Sequence, residues 1–152
     1  MAGEQLVADD QIELPSFEDP TPEEYNAFVE ALSLGSVETH RVLAERVGPG
    51  ESEEASFETR VGFMTGESSA HWRYDASVTI VDSEGTALGT IEVAIVVTAT
   101  YEDAAVSPSP EVLARFGGTT AALIAHPYLR ETIATAAQRI GFTGVTLPML
   151  KL

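Results

Sequence analysis

The chain has 152 residues, 44% of them hydrophobic and 21% charged, with no cysteine and a formal charge of −16. These values fit one globular domain around one core, and they exclude wholesale disorder, disulfides and thiolate metal sites. The negative field works against a nucleic-acid backbone or an anionic membrane surface as a direct ligand, and it attracts basic proteins or basic stretches of unfolded chains. The opening "MAGEQLVADDQIELP" has neither the basic nor the apolar region of a secretory signal, and no apolar run reaches bilayer-spanning length. A cytoplasmic protein without membrane insertion is therefore expected.

Residues 1–19 mix acids and prolines without periodicity and read as a flexible acidic arm, with 20–152 as a single domain. In "DPTPEEYNAFVEALSLG" (19–35), Thr21 can cap a helix, Pro22 suits its first position, and Glu23 and Glu24 suit its positive end. Tyr25, Phe28, Val29 and Leu32 recur at helical spacing, and Gly35 is the expected stop.

Strands follow. "ETHRVLAERV" (38–47) is weakly patterned. In 55–64 the residues Ala55, Phe57, Thr59, Val61 and Phe63 alternate with polar or small ones. Trp72, Tyr74, Ala76, Val78 and Ile80 do the same in 71–81, as do Ile91, Val93, Ile95, Val97, Ala99 and Tyr101 in 90–101. Such alternation gives each strand one buried face. The links "TGESSA" and "DSEGTA" suit tight antiparallel hairpins, whereas "GPGESEEAS" (48–56) has the length to cross over.

The last third, "EVLARFGGTTAALIAHPYLRETIATAAQRIGF", carries a helical stripe with Pro127 inside it, and a proline there bends or restarts a helix. The expected fold class is α+β: a four-stranded antiparallel sheet, a long kinked C-terminal helix and a short N-terminal helix. Ala94, Val96, Val81 and Met64 add apolar groups to the nominally polar face, a surplus that predicts self-association.

Catalytic and cofactor signatures are missing. His40, His71 and His126 lack metal-ligand spacing and read as surface or packing residues, and the acidic clusters lack the pattern of a calcium loop. No nucleophile elbow or phosphate-binding glycine motif occurs, and "FGGTTAAL" (116–123) reads as a turn and helix start. Neither enzymatic activity nor a cofactor is expected.

The stretch "HPYLRETIATAAQRIGFTGVTLP" (126–148) resembles the signature region of the SecB-like export chaperones. The matching residues are Pro127, Tyr128, Arg130 and Glu131, then Gly141 and Phe142, then Val145, Leu147 and Pro148. The strand order before the helix and the acidic charge are similar too. The resemblance implies an ATP-independent holdase for unfolded or precursor proteins, built as a homotetramer (a dimer of dimers), with the motor SecA or an antitoxin as a further partner. Glu92 is the acidic position that would meet the motor. The chain stops soon after the Pro-containing run, where motor-delivering members continue into another helix, and its N-terminal helix is closer to antitoxin-protecting or phage-encoded relatives. A structural or assembly protein sharing the fold is the competing reading.

Uncommitted apolar and aromatic groups suggest Phe63, Met64, Trp72, Tyr74, Leu147, Met149 and Leu150 as client contacts, with core packing the alternative for Trp72 and Tyr74. The helix stripe suggests Leu123, Ile133, Ala136, Ala137 and Ile140 as the oligomer interface.

Overall fold

A computed structural model describes residues 12–13, 17–102 and 107–150. The elements run β1 (Ile12–Glu13), α1 (Pro22–Ala31), β2 (Leu32–Arg46), β3 (Glu54–Thr65), β4 (Ser69–Val81), β5 (Ala87–Tyr101), α2 (Pro110–Gly118) and α3 (Thr120–Arg139). The four long strands are antiparallel, as expected, and the helices pack on one face of their sheet. Strand order is β1-β3-β4-β5-β2, so β3, β4 and β5 are successive hairpin partners while β2 lies beside β5 at the far edge.

The 48–56 link therefore crosses over, and hydrogen bonds hold it against the sheet end. Val47 and Gly48 donate to the Leu88 carbonyl and Glu53 donates to Val81. Arg46 closes this corner. Its guanidinium donates to the carbonyls of Gly48, Gly50 and Ile140 at 3.0, 2.9 and 3.1 Å and lies 4.2 Å over the Phe142 ring. One side chain thus ties the crossover to the carbonyl end of α3, where the helix dipole favours a cation.

Helix α1 starts as the sequence predicts, with Thr21 Oγ1 accepting from the Glu24 amide at 3.2 Å and Pro22 in the first turn. It stops earlier than expected. The chain passes at Leu32 straight into β2, and Gly35 sits at a bulge, where a Cβ would approach the Thr98 carbonyl to 3.2 Å. Phe28 is the one buried residue of this short helix, edge-on to Trp72, Tyr101 and Phe116.

The C-terminal helical region restarts at Thr119, and α3 is continuous through Pro127. The break follows from two side chains of β4. Trp72 Nε1 donates to the Leu113 carbonyl at 2.9 Å, and the Tyr74 hydroxyl donates to the Gly117 carbonyl. Burial pushes the Tyr74 phenol up, so it stays protonated and remains a donor. The indole lies so close to Gly117 that a Cβ there would fall 2.7 Å from Trp72 Cδ1. Pro127 is on the exposed side of α3, where water can reach the carbonyl that proline leaves unpaired.

The covered face is the one that the alternation predicts. Trp72, Tyr74, Ala76, Val78 and Ile80 of β4 and Ile91, Val93, Ile95, Val97 and Ala99 of β5 are all buried. After α3, Gly141 and Gly144 take positive φ, and the turning chain lays Phe142, Val145 and Leu147 into the same core.

Candidate functional site

The seven residues singled out as client contacts do not form one surface. Trp72 and Tyr74 are fully buried, and Phe63 and Leu147 nearly so. They are core residues of the chain, because period-two alternation places Phe63, Trp72 and Tyr74 under the helices. Leu147 is held inward by Arg130, whose Nε donates to the Leu147 carbonyl at 2.9 Å. Met64 is exposed on the opposite, open face. Met149 is 69% exposed on the helix side, with Leu150 half-buried beside it.

The same correction applies to the helix stripe. Ile133, Ala136 and Ala137 are buried within the chain's own core, the small residues letting α3 lie close on the sheet, and Ile140 is half-buried. Leu123 alone of the five is more than half exposed.

Among the described residues, three places stand out for exposed apolar surface near the predicted contacts. On the helix side, Leu123, Pro127, Met149 and Leu150 line a groove of about 460 Å³ between α3 and the C-terminal run, with Arg130 and Glu131 at its rim. His126 lies in this groove; burial holds its imidazole below the ordinary value and the Arg130 charge adds to that, so the groove is uncharged at that position near neutral pH. A second groove of about 440 Å³ separates α3 from β2, with Val42 and Ala44 on the strand side and Thr135, Ala136 and Ile140 on the helix side.

The third place is β2 itself. Its outer edge has no partner strand among the described residues, and Leu34, Val42, Leu43 and Val47 of this region are each about half exposed. The sequence hides this edge, because a strand open on its flank shows no clean alternation of burial. The Val42-Leu43-Ala44 run between charged residues is the available signal.

Apart from Met64 and Leu43 on its two edge strands, the open face is largely polar, and its charged groups pair with one another. Arg41 pairs with Glu92 at 3.6 Å, Arg73 with Asp75 at 3.0 Å, and His71 Nδ1 meets Thr98 Oγ1 at 2.9 Å. Glu92, the residue proposed to meet a motor, is half exposed here and already ion-paired. Ala94 and Val96 add no apolar surplus to this face, since they are 0% and 7% exposed. Register explains it: Ala94 is flanked by Arg41 and Asp75, and Val96 by Glu38 and Arg73, whose aliphatic stems cover the smaller side chains.

Among the described residues, no three histidines or carboxylates gather as a metal site, and no helix is long and apolar enough to cross a membrane. The arrangement offers strand edges and apolar grooves, which is equipment for contact with other chains.

No protein-family model matches this chain, and no curated protein matches it in sequence. Structure reaches further. The Mycobacterium tuberculosis SecB-like chaperone Rv1957, solved in complex with a ChAD peptide from the Rv1956 HigA1 antitoxin, superposes with a TM-score of 0.74 at 15% sequence identity. The match covers 86% of this chain and 98% of that one. An identity this low speaks to architecture, and on that ground the α+β fold expected from residues 126–148 and the strand pattern is the fold found: this chain has the SecB-like fold.

Proposed function

We propose that the protein is a non-catalytic chaperone that holds unfolded or unstable polypeptides. The observation that carries this reading is the near-complete coverage of a chaperone structure containing a bound peptide. The composition supports it independently. Half-exposed apolar residues at the β2 edge and over the helix layer sit in a chain of charge −16. Long-range attraction would bring basic unfolded segments in quickly, and apolar burial, at about 25 cal/mol per Å² less the cost of ordering, would retain them.

An antitoxin is the client class favoured here, because the structural neighbour is a chaperone solved with an antitoxin peptide. Delivery to SecA is the weaker reading, since Glu92 is engaged with Arg41. The bare β2 edge supports self-association by edge pairing, and pairs of such dimers would give the tetramer that the sequence resemblance implies. Size-exclusion chromatography with light scattering should then read the mass of four chains.

The test is suppression of aggregation. A chemically denatured client diluted into buffer should scatter less light when an equimolar or larger amount of this protein is present, and the effect should set in more slowly at high salt. Unchanged scattering at every ratio and for several clients would leave a structural or assembly role on the same fold.

A further inference from the structure

Strand β3 forms the sheet edge opposite β2, and the chain's own N-terminal segment is seated on it. Ile12 and Glu13 pair in parallel with Thr59 and Arg60. Five residues on from Ile12, the Phe17 ring packs on Phe63 with centroids 6.0 Å apart, and two further on Asp19 reaches Arg115 of α2 at 3.4 Å. Phe63 is buried although it stands near the end of an edge strand, and Phe17, itself 38% exposed, is the aromatic group against it. Among the described residues the rest of the twelve-residue outer edge of β3 carries no other strand.

Two properties of this contact bear on function. It shows that the β3 edge accepts an added extended segment, with main-chain pairing that is indifferent to sequence and an aromatic seat beside it. That combination is how strand addition gains affinity from backbone and selectivity from alternate side chains. The contact is also short: two paired residues and one aromatic pair make a seat that a longer segment with more pairing and more apolar contact can take over.

We propose that the β3 edge is a client-binding site, occupied in the free protein by the N-terminal segment as a built-in competitor. The client it fits is an extended, proline-free stretch of unfolded chain, with aromatic or branched residues at alternate positions and basic flanks. One of those side chains replaces Phe17 over Phe63, Ile12 and Glu13 give up their pairing with the strand, and the basic flanks meet a chain of charge −16. This inference rests on the chaperone reading and specifies where and how that activity is restrained. Phe63, buried in the free protomer, becomes a client contact once the arm has left.

The absence of cysteine from the chain makes a clean test available. Directly paired residues of neighbouring strands lie within disulfide range, so the double variant Glu13→Cys with Arg60→Cys should crosslink on oxidation and release on reduction. Binding of a labelled, permanently unfolded protein is followed by fluorescence anisotropy in three samples: the oxidised variant, the same variant reduced, and a chain lacking residues 1–17. Circular dichroism is taken on each to establish folding. The oxidised form should bind at least tenfold more weakly than the reduced form, and the truncated form about five- to tenfold more tightly than the parent, the gain expected when a self-occupied state is removed. Failure of the cysteines to crosslink, or equal binding by the oxidised and reduced forms, would overturn the inference while leaving the chaperone reading in place. No binding by any folded form, parent included, would overturn both.

Discussion

The two faces of the sheet are made from the same strands, in some places from adjacent residues, and they have opposite fates. On the covered face Trp72, Tyr74, Val78 and Ile80 are sealed under three helices and a folded-back C-terminal run, and two of them reach out to hold helix carbonyls. On the open face, one residue along each time, Arg73, Asp75, Ser77 and Thr79 have no helix on them among the described residues. The difference teaches where partners belong. Because the open face satisfies its own charges and shields Ala94 and Val96 with neighbouring side-chain stems, the apolar surplus lies at the strand edges and over the helix layer.

The sharpest way to break that contrast is Trp72→Ala. It empties the centre of the covered face, removes the donor to Leu113 and leaves Gly117 without the ring it fits. A loss of about 3–5 kcal/mol is expected from the cavity alone, read as a lowered denaturant midpoint. A loss below 1 kcal/mol would mean that the aromatic cluster does not organise the helices.

Arg46→Ala should come next. The residue lies at the boundary, where the crossover meets the end of α3, and its replacement strands the carbonyls of Gly48, Gly50 and Ile140. Part of each hydrogen bond is recovered from water at this exposed position, so about 1–2 kcal/mol is expected in chemical denaturation. The change should also raise hydrogen exchange in 47–53 and near residue 140 before it affects the sheet.

The open face should respond least. Arg41→Ala breaks the ion pair with Glu92, in which both side chains are about half exposed, and should cost less than about 1 kcal/mol with further screening by salt. A larger loss would show that this face is buried against something in solution, and the assignment of the two faces would need to be reversed.

Much of this contrast was legible in the sequence. Alternation in 55–64, 71–81 and 90–101 marks which residues face the core, and the Thr21-Pro22 start of α1 follows from capping chemistry alone. Pairing order was only partly legible: the long link allowed a crossover, but the weak pattern of β2 could not place it beside β5. The helix break at Thr119 falls within 116–123, the stretch whose glycines read as a turn and helix start, and α3 runs on through Pro127. The cause of the break is non-local and was not legible. Trp72 and Tyr74, more than forty residues away in sequence, fix Leu113 and Gly117, and no helical periodicity records that contact.

The candidate site was the least legible part. Alternation tells which side a residue points to and not what covers it, so Trp72, Tyr74, Phe63 and Leu147 looked available when helices, the Phe17 ring and Arg130 had already claimed them. Met149 kept its exposure because the run turns Leu147 and, in part, Leu150 toward the core and leaves Met149 facing out. The arm from 1 to 19 carries no periodic signal, so its pairing at Ile12–Glu13 could not be read ahead of the structure.

Two methionines allow the central claim, that client chains are met at the strand edges and over the helix layer, to be tested in one measurement. Met64 and Met149 are both substantially exposed, on opposite sides of the sheet. Each reports its accessibility through the rate at which peroxide converts it to the sulfoxide. Mass spectrometry of both sites with and without a saturating unfolded client should show oxidation slowed severalfold at Met64, on the β3 edge strand, and at Met149, over the helix layer. Unchanged oxidation of both methionines at saturating client would contradict the account.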